Sequence, residues 1–411
     1  MVPELLEFGS HLEGAPSAGQ ATGALGSRSG SADELLDQMG LGELKRLLGL
    51  VRQQYEPLFV ERRKICLAGP VNTGKSSLYN ALVGRAAAQA EVSPVPGTTR
   101  RSQVGDAEVF WIIDTPGANE AAVGAEGAQA GLERHDEAFA AARQADLMVL
   151  VFDAARGIAQ DELTIYGELT GLGKPFVVVL NKIDLVGGSQ EAVVQSAARN
   201  LGLPPDEIIP TSATQGINLN RLLLAMVETD PRVLATLAEL VPGSRWLLAN
   251  RTILSACLAA GTANVITSPV EIPFASFVPI TAIQVAMVLN LARVFGHRLT
   301  MRRARELVLT FGSALLGRTL FYQLVNLVPV AGWVLGTAVA VATTMALGYA
   351  AAVWFARGER LSKARVKELS EALTRTLVES FKRAPDKAAL RKNIGAAVRD
   401  TLRRLEEIAG R

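Results

Sequence analysis

One octapeptide, Gly69-Pro-Val-Asn-Thr-Gly-Lys-Ser76, limits what this chain can fold into more than any other stretch. Its spacing is G-x-x-x-x-G-K-[ST]. The run KICLAG before it is apolar and strand-like, and SSLYNALVG after it has a helical pattern. A glycine-rich turn between strand and helix gathers backbone N–H groups around one small volume, and the helix N-terminus adds positive charge. Such a turn holds phosphate. Lys75 would reach the outer phosphates, and Ser76 would give its hydroxyl to magnesium. The same spacing also occurs in turns that bind nothing, so the other motifs decide.

From Lys64 to about Ile209, short apolar runs alternate with longer mixed segments. KICLAG, AEVFWIID, ADLMVLVFD, FVVVLNK and EIIPTSA read as buried strands, while Asp161–Leu169 and Glu191–Leu201 read as helices. This alternation predicts an α/β domain with a mostly parallel sheet and helices on both faces. Ligands then gather at the carboxyl ends of the strands. Asp114-Thr-Pro-Gly117 falls at one such end, where Asp114 can hold magnesium through water and Gly117 can bond the last phosphate. Asn181-Lys182-Ile183-Asp184 falls at another. Its Asp184 carboxylate can accept the paired ring and amino N–H hydrogens of guanine, a pairing adenine does not offer. Thr211-Ser212-Ala213 supplies a backbone contact to the base oxygen. Four motifs in this order predict a domain that binds GTP and GDP.

At this point a resemblance becomes plain. Residues from about Lys64 to Thr229 resemble the translation-factor-related GTPases, particularly the Era and TrmE branch, and Pro96-Gly-Thr-Thr-Arg100 is similar to the first switch of that branch. The resemblance implies that Thr99, rather than Thr98, coordinates magnesium in the GTP state, and that Ser77 touches the inner phosphate. With Asn72, Thr73, Gly74, Lys75 and Ser76, these complete the candidate phosphate and magnesium contacts.

In small signalling GTPases a glutamine beside the second switch orients the attacking water. Here Ala118 stands after Gly117, and the resemblance implies that a residue of this kind is ordinary in the branch. Two substitutes remain open. Asn72 matches the asparagine that binds potassium in potassium-activated members, where the ion would do an arginine finger's electrostatic work; an asparagine that only stabilises its loop is the equal alternative. Alternatively, Glu120, Glu126 or Glu133 in the small-residue loop ANEAAVGAEGAQAG positions the water. The expected catalytic set is Lys75, Thr99 and Asn72, with slow hydrolysis that is faster in potassium than in sodium. Family analogy adds a homodimer through the GTPase domains.

The other half of the chain is a different material. Of its 411 residues 49% are hydrophobic and only 5% aromatic, and mean hydropathy is +0.23. A formal net charge of +2 gives no overall field for nucleic acid or membrane. Cys66 and Cys257 read as small buried hydrophobes, and the three histidines have no metal-ligand spacing. Trp246–Thr267 is long enough to span a bilayer but carries Arg251. Ile272–Ala292 is uncharged over 21 residues, yet holds Pro273 and Pro279. Leu324–Ala356 has 33 residues without a charge, more than the about 20 one crossing needs. Gly332 and Gly336 have the G-x-x-x-G spacing of closely packed helices. Arg293, Arg298, Arg302, Arg303 and Arg305 lie between the two better candidate spans. Two single crossings would put them on the wrong side of the membrane, so re-entrant segments or a surface-bound apolar domain fit better. Runs within about Ala249–Gly358, VPITAIQVAMVLNLARVFGHRLT and LVNLVPVAGWVLGTAVAVATTMALGYAAAVWFARG, resemble a bacterial domain of unknown function described as a membrane protein and often fused to Era-like GTPases. From Arg357 onward 15 Lys and Arg face 8 Asp and Glu, with leucines at helical spacing that suit anionic lipid or, equally, a solvated pair of helices.

The expected organisation is a disordered lead-in over 1–30, an amphipathic helical segment over 31–60 and the GTPase domain over 61–230. An apolar all-α, membrane-associated domain over 231–358 and a basic helical tail over 359–411 follow. The expected function is a GTP-hydrolysing switch using magnesium, with potassium as a candidate second ion, held on the cytoplasmic side of the inner membrane, with lipid and an unidentified protein as partners. The alternative is a soluble ribosome or RNA-assembly GTPase using the basic tail. No RNA-binding module is evident, so nucleic acid is the less favoured partner. A scaffold that holds GTP without turning it over is a further rival, which the intact Lys75, Ser76, Thr99 and Asp114 set argues against.

Overall fold

The computed structural model describes residues 63–83, 110–115, 139–140, 142–267, 277–297, 332–358 and 361–409. The lead-in, the segment at 31–60, both switch loops (with Thr98, Thr99, Gly117, Ala118, Glu120, Glu126 and Glu133) and most of the arginine cluster lie outside them. The chain divides into two compact units, one spanning Glu61–Arg245 and the other holding everything from Trp246 onward.

Among the described residues the first unit holds a five-stranded sheet in the order β2-β1-β3-β4-β5, with every neighbouring pair parallel. The strands are β1 (Ile65–Pro70), β2 (Phe110–Thr115), β3 (Leu147–Asp153), β4 (Phe176–Asn181) and β5 (Ile208–Pro210). Between and after them run α1 (Lys75–Val83), α2 (Gln160–Thr170), α3 (Gln190–Leu201), α4 (Leu219–Thr229) and α5 (Leu234–Leu240). β1 and β3 are buried along their whole length, which explains why they read as continuous apolar runs rather than alternating ones. Met148, Leu150 and Phe152 of β3 join Ile165 and Leu169 of α2 and Ala197 and Leu201 of α3 in one core cluster. Strand order reverses direction between β1 and β3, so their carboxyl ends open the crevice in which doubly wound sheets bind ligands.

The run from Ile217 to Leu240, apolar at helical spacing, does not form one helix. Asp230 leaves helical geometry, Pro231 follows, and a short 3-10 turn separates α4 from α5. Proline lacks the N–H and clashes with the preceding turn, while the Asp230 side chain accepts from the Arg232 N–H at 3.0 Å. The compact nucleotide unit also reaches beyond residue 230. Its extension is tied down where the Arg63 N–H donates to Thr236 Oγ1 at 3.0 Å.

Among the described residues the elements of the second unit are helices: α6 (Arg245–Thr267), α7 (Phe277–Val294), α8 (Gly332–Arg357), α9 (Lys363–Phe381) and α10 (Lys387–Ala409). α8 is apolar all round and is its core. Leu369, Leu373, Leu377 and Phe381 of α9 are buried, as are Leu390, Ile394, Val398 and Leu402 of α10. Each set recurs every fourth residue, giving one apolar ridge per helix. Gln284 of α7 donates to Thr344 of α8 at 3.0 Å, which satisfies two buried polar groups. Among the described residues, Trp333–Arg357 is the one helix long and apolar enough to cross a membrane, and 89% of its most apolar window is buried inside the unit. The core helix of a water-soluble bundle has the same composition. Burial pushes both thiols up, Cys66 to about 12, so neither is a reactive thiolate at neutral pH.

Candidate nucleotide site

The turn after β1 closes tightly because nothing projects from it at two points. Gly69 has φ +149°, and a Cβ there would collide with the Val151 carbonyl of β3. Gly74 has φ +87°, and a Cβ there would meet Asn181 Nδ2 at 2.5 Å. Between them Thr73 is fully buried and its hydroxyl donates to the Pro70 carbonyl at 3.0 Å. Lys75 begins α1 and is itself buried. Its ammonium folds back over the loop, donating to the Gly69 carbonyl at 2.8 Å and the Pro70 carbonyl at 2.5 Å. Ser76 and Ser77 follow in the first turn of α1, half-buried, where the helix dipole favours an anion.

The base loop is built against this turn rather than apart from it. Asn181 ends β4 and is 1% exposed. Its Nδ2 donates to the Thr73 carbonyl at 2.9 Å, and its Oδ1 accepts from the Ala213 N–H at 3.2 Å and from the Thr211 hydroxyl at 3.3 Å. One side chain therefore joins the phosphate turn, the end of β4 and the loop after β5. Lys182 adopts left-handed backbone geometry, φ 63°, and donates to the Asn72 carbonyl at 2.5 Å. Asn72 is exposed at the lip of the turn, also left-handed at φ 65°. Ser212 is buried and its hydroxyl accepts from the Gln215 N–H at 3.1 Å, which shapes the loop that presents Ala213.

Asp184 carries the clearest sign of a missing ligand. Its Oδ1 is buried with no hydrogen-bond partner. A buried carboxylate oxygen without a donor is costly, and the two N–H groups on the edge of guanine are the donors such an atom requires. The sites for phosphate and base fit a guanine nucleotide.

For magnesium the fit is narrower. Asp114, near the end of β2, pairs in register with Gly69, and Ser76 lies one turn further along the chain. Among the described residues no three His, Cys, Asp or Glu cluster around a metal. Ser76 and Asp114 would lend one hydroxyl and one carboxylate, Thr99 would add its hydroxyl in the GTP state, and phosphate and water would complete the shell, as is usual for this ion. Thr99 and Gly117, the remaining switch contacts, lie outside the described residues.

The motifs do not announce Asp153. It ends β3, is 3% exposed, and its Oδ2 accepts from Lys182 Nζ at 2.7 Å. The only hint in the sequence is an acid closing the apolar run ADLMVLVFD, at the strand end where ligands gather.

Comparison with known proteins agrees with this geometry. Residues 64–182 match the family described as 50S ribosome-binding GTPase, and residues 135–232 match the elongation factor Tu GTP binding domain. GTPase Der of Brucella anthropi is 34% identical over 168 residues, 40% of this chain and 32% of that protein. GTPase Der of Bartonella quintana is 37% identical over 169 residues, 40% of this chain and 33% of that protein. The chain thus spans about a third of the length of the curated relatives it matches. Among solved structures, Aquifex aeolicus Era bound to GDP and AlF4- superposes with a TM-score of 0.33 at 24% identity, covering 47% of this chain and 67% of that one. The helical unit lies outside the residues that both families match. Residues 64–232, matched by two GTPase family models, carry both nucleotide loops at the carboxyl ends of the strands and resemble a P-loop GTPase domain of the Era/Der kind.

Proposed function

We propose that this protein is a magnesium-dependent, GTP-hydrolysing switch held at the cytoplasmic face of a bacterial inner membrane by its helical unit. The observation that carries the nucleotide reading is the pairing of an orphaned Asp184 oxygen with the buried Lys75 turn, both bridged by Asn181. Lys75 would exchange its carbonyl partners for phosphate oxygens, supplying positive charge where charge gathers in phosphoryl transfer. Ser76, Asp114 and Thr99 would hold magnesium, which when bound neutralises phosphate charge. Asn72 is the candidate potassium ligand, and the two GTPase domains of a homodimer are candidates to face each other across their nucleotides. Phosphate release by the full chain, compared in potassium and sodium chloride, tests this. Turnover at the background rate in both salts would leave a GTP-binding scaffold. Equal rates above background would remove Asn72 from catalysis.

Membrane attachment rests on the second unit. α8 is a helix of spanning length with no charged residue before Arg357 at its end, and the turn and helix that follow α9 expose Lys382, Arg383, Arg391, Lys392, Arg403 and Arg404. Because α9 and α10 turn their apolar ridges inward, surface attachment through basic side chains suits the helices better than a lone crossing by α8. Alkaline carbonate extraction of membranes from cells expressing the full chain distinguishes the modes: a peripheral protein is released and an inserted one stays in the pellet.

The family description for residues 64–182, a 50S ribosome-binding GTPase, favours one second reading, a ribosomal partner in place of lipid. Co-sedimentation with ribosomal subunits that depends on GTP would support it.

A further inference from the structure

We propose that Asp153 is a positioning residue for nucleotide binding: by anchoring Lys182, it locks the base loop onto the phosphate turn before nucleotide arrives. The inference rests on the guanine-nucleotide reading above and extends it to a residue outside all four motifs.

β3 and β4 are in register at their carboxyl ends, so Asp153 lies directly beside Asn181. The Ala154 N–H donates to the Asn181 carbonyl at 2.8 Å, fixing the two strand ends together. Both carboxylate oxygens of Asp153 are engaged. Oδ1 accepts from the Ala155 N–H at 2.9 Å, and Oδ2 accepts from Lys182 Nζ at 2.7 Å. The Asp153 side chain is 5% exposed and that of Lys182 32%. A carboxylate this buried requires a cation.

Lys182 spends its other described bond on the Asn72 carbonyl. That carbonyl belongs to a residue in left-handed geometry, φ 65°, a conformation the contacts around it hold in place. A lysine side chain has four rotatable carbons and little inherent preference. Held at one end by the backbone at φ 63° and at the other by Asp153, it becomes a strut. The lip of the phosphate turn is then fixed relative to the loop that carries Asp184. Asn181 makes the inner link between the same two loops and Lys182 makes the outer one. Asp153 is what makes the outer link rigid. Pre-organising two halves of a site spares the ordering cost otherwise incurred on binding.

The test is a double-mutant cycle on the full chain with N-methylanthraniloyl-GDP as the fluorescent probe. D153N keeps shape and removes charge. D153S loses the Lys182 contact while its hydroxyl can still accept from Ala155. Each is made in the parent and in K182M. Both should weaken probe binding about tenfold in the parent, the loss of one charge-assisted bond, and less than about twofold in K182M. Thermal melting should show K182M destabilised and partly rescued by D153N, because the orphaned buried charge is removed. Equal losses in both backgrounds would mean Asp153 matters only for the turn at Ala155 and would overturn the proposal. So would unchanged affinity in the parent. Failure of the unmutated protein to bind the probe would instead sink the guanine-nucleotide reading.

Discussion

Asn181 Nδ2 donates to the Thr73 carbonyl at 2.9 Å, so the residue that opens the guanine motif also closes the phosphate turn. Replacing it with alanine strands that carbonyl and removes the acceptor for Ala213 and Thr211. Buried networks of this kind lose more than one bond when one member goes. N181A should cost the nucleotide unit about 2–4 kcal/mol and weaken GDP binding at least about tenfold. Chemical denaturation and GDP titration of the same preparation read both effects. A loss of stability with unchanged affinity would confine Asn181 to scaffolding.

Base specificity should move with Asp184. An aspartate accepts two N–H bonds, and its orphaned Oδ1 awaits one of them. Asparagine at that point offers an N–H of its own and repels the amino group of guanine. D184N should weaken GDP by about a hundredfold and improve XDP, whose ring oxygen replaces that amino group. Competition between the two diphosphates for one fluorescent probe gives the ratio directly. An unchanged ratio would mean that Asp184 does not face the base.

Much of this site was legible because its chemistry ties residue type to spacing. Lys75 and Ser76 follow a glycine turn wherever phosphate is held, and Asp184 follows Asn181 wherever guanine is read. Asp153 was not legible, since an acid at the end of an apolar strand looks the same whether or not a lysine reaches it. The break at Pro231 was written in the sequence but masked by apolar spacing that runs on from Leu222, Leu223 and Met226 to Leu234 and Leu237. α8 was ambiguous for a deeper reason. A helix covered by Leu373 and Ile394 and a helix covered by lipid tails need the same side chains, so its composition does not tell which surrounds it. The information lay in α9 and α10, whose leucines every fourth residue require an apolar partner.

Acid should loosen the nucleotide unit at the base of the sheet. Burial alone would raise the Asp146 carboxyl. The Lys64 N–H at 2.9 Å and the Arg63 guanidinium at 2.7 Å, helped by Arg232, outweigh that and hold it below its ordinary 3.8. A carboxyl depressed in the folded state contributes stability above its unfolded value and loses it as pH falls through the folded value. D146N should therefore cost about 1–2 kcal/mol at neutral pH, and the gap from the parent should close below about pH 4. Melting temperatures of both proteins across this range check the sign. A gap that widens in acid would contradict it.

The helical unit makes its own prediction at Gly348, in the middle of α8. A Cβ there would meet Ile253 Cγ1 of α6 at 2.8 Å and Met287 Sδ of α7 at 2.9 Å. Alanine gains about 1 kcal/mol of helix propensity over glycine. Overpacking a full core costs about 1–3 kcal/mol, and although the Met287 side chain can yield, the branched Ile253 has less room. G348A should lose about 1 kcal/mol net and G348V about 3 kcal/mol or more, since each added methyl deepens the clash. Because α6, α7 and α8 form a core of their own, GDP affinity should stay within twofold of the parent, roughly 0.4 kcal/mol. Circular dichroism melting and GDP titration of both variants test the two halves of the claim. If G348V melts like the parent, α6 and α7 do not close on α8 in solution. The apolar face of α8 would then be open to lipid, and the case for a membrane-inserted helix would return.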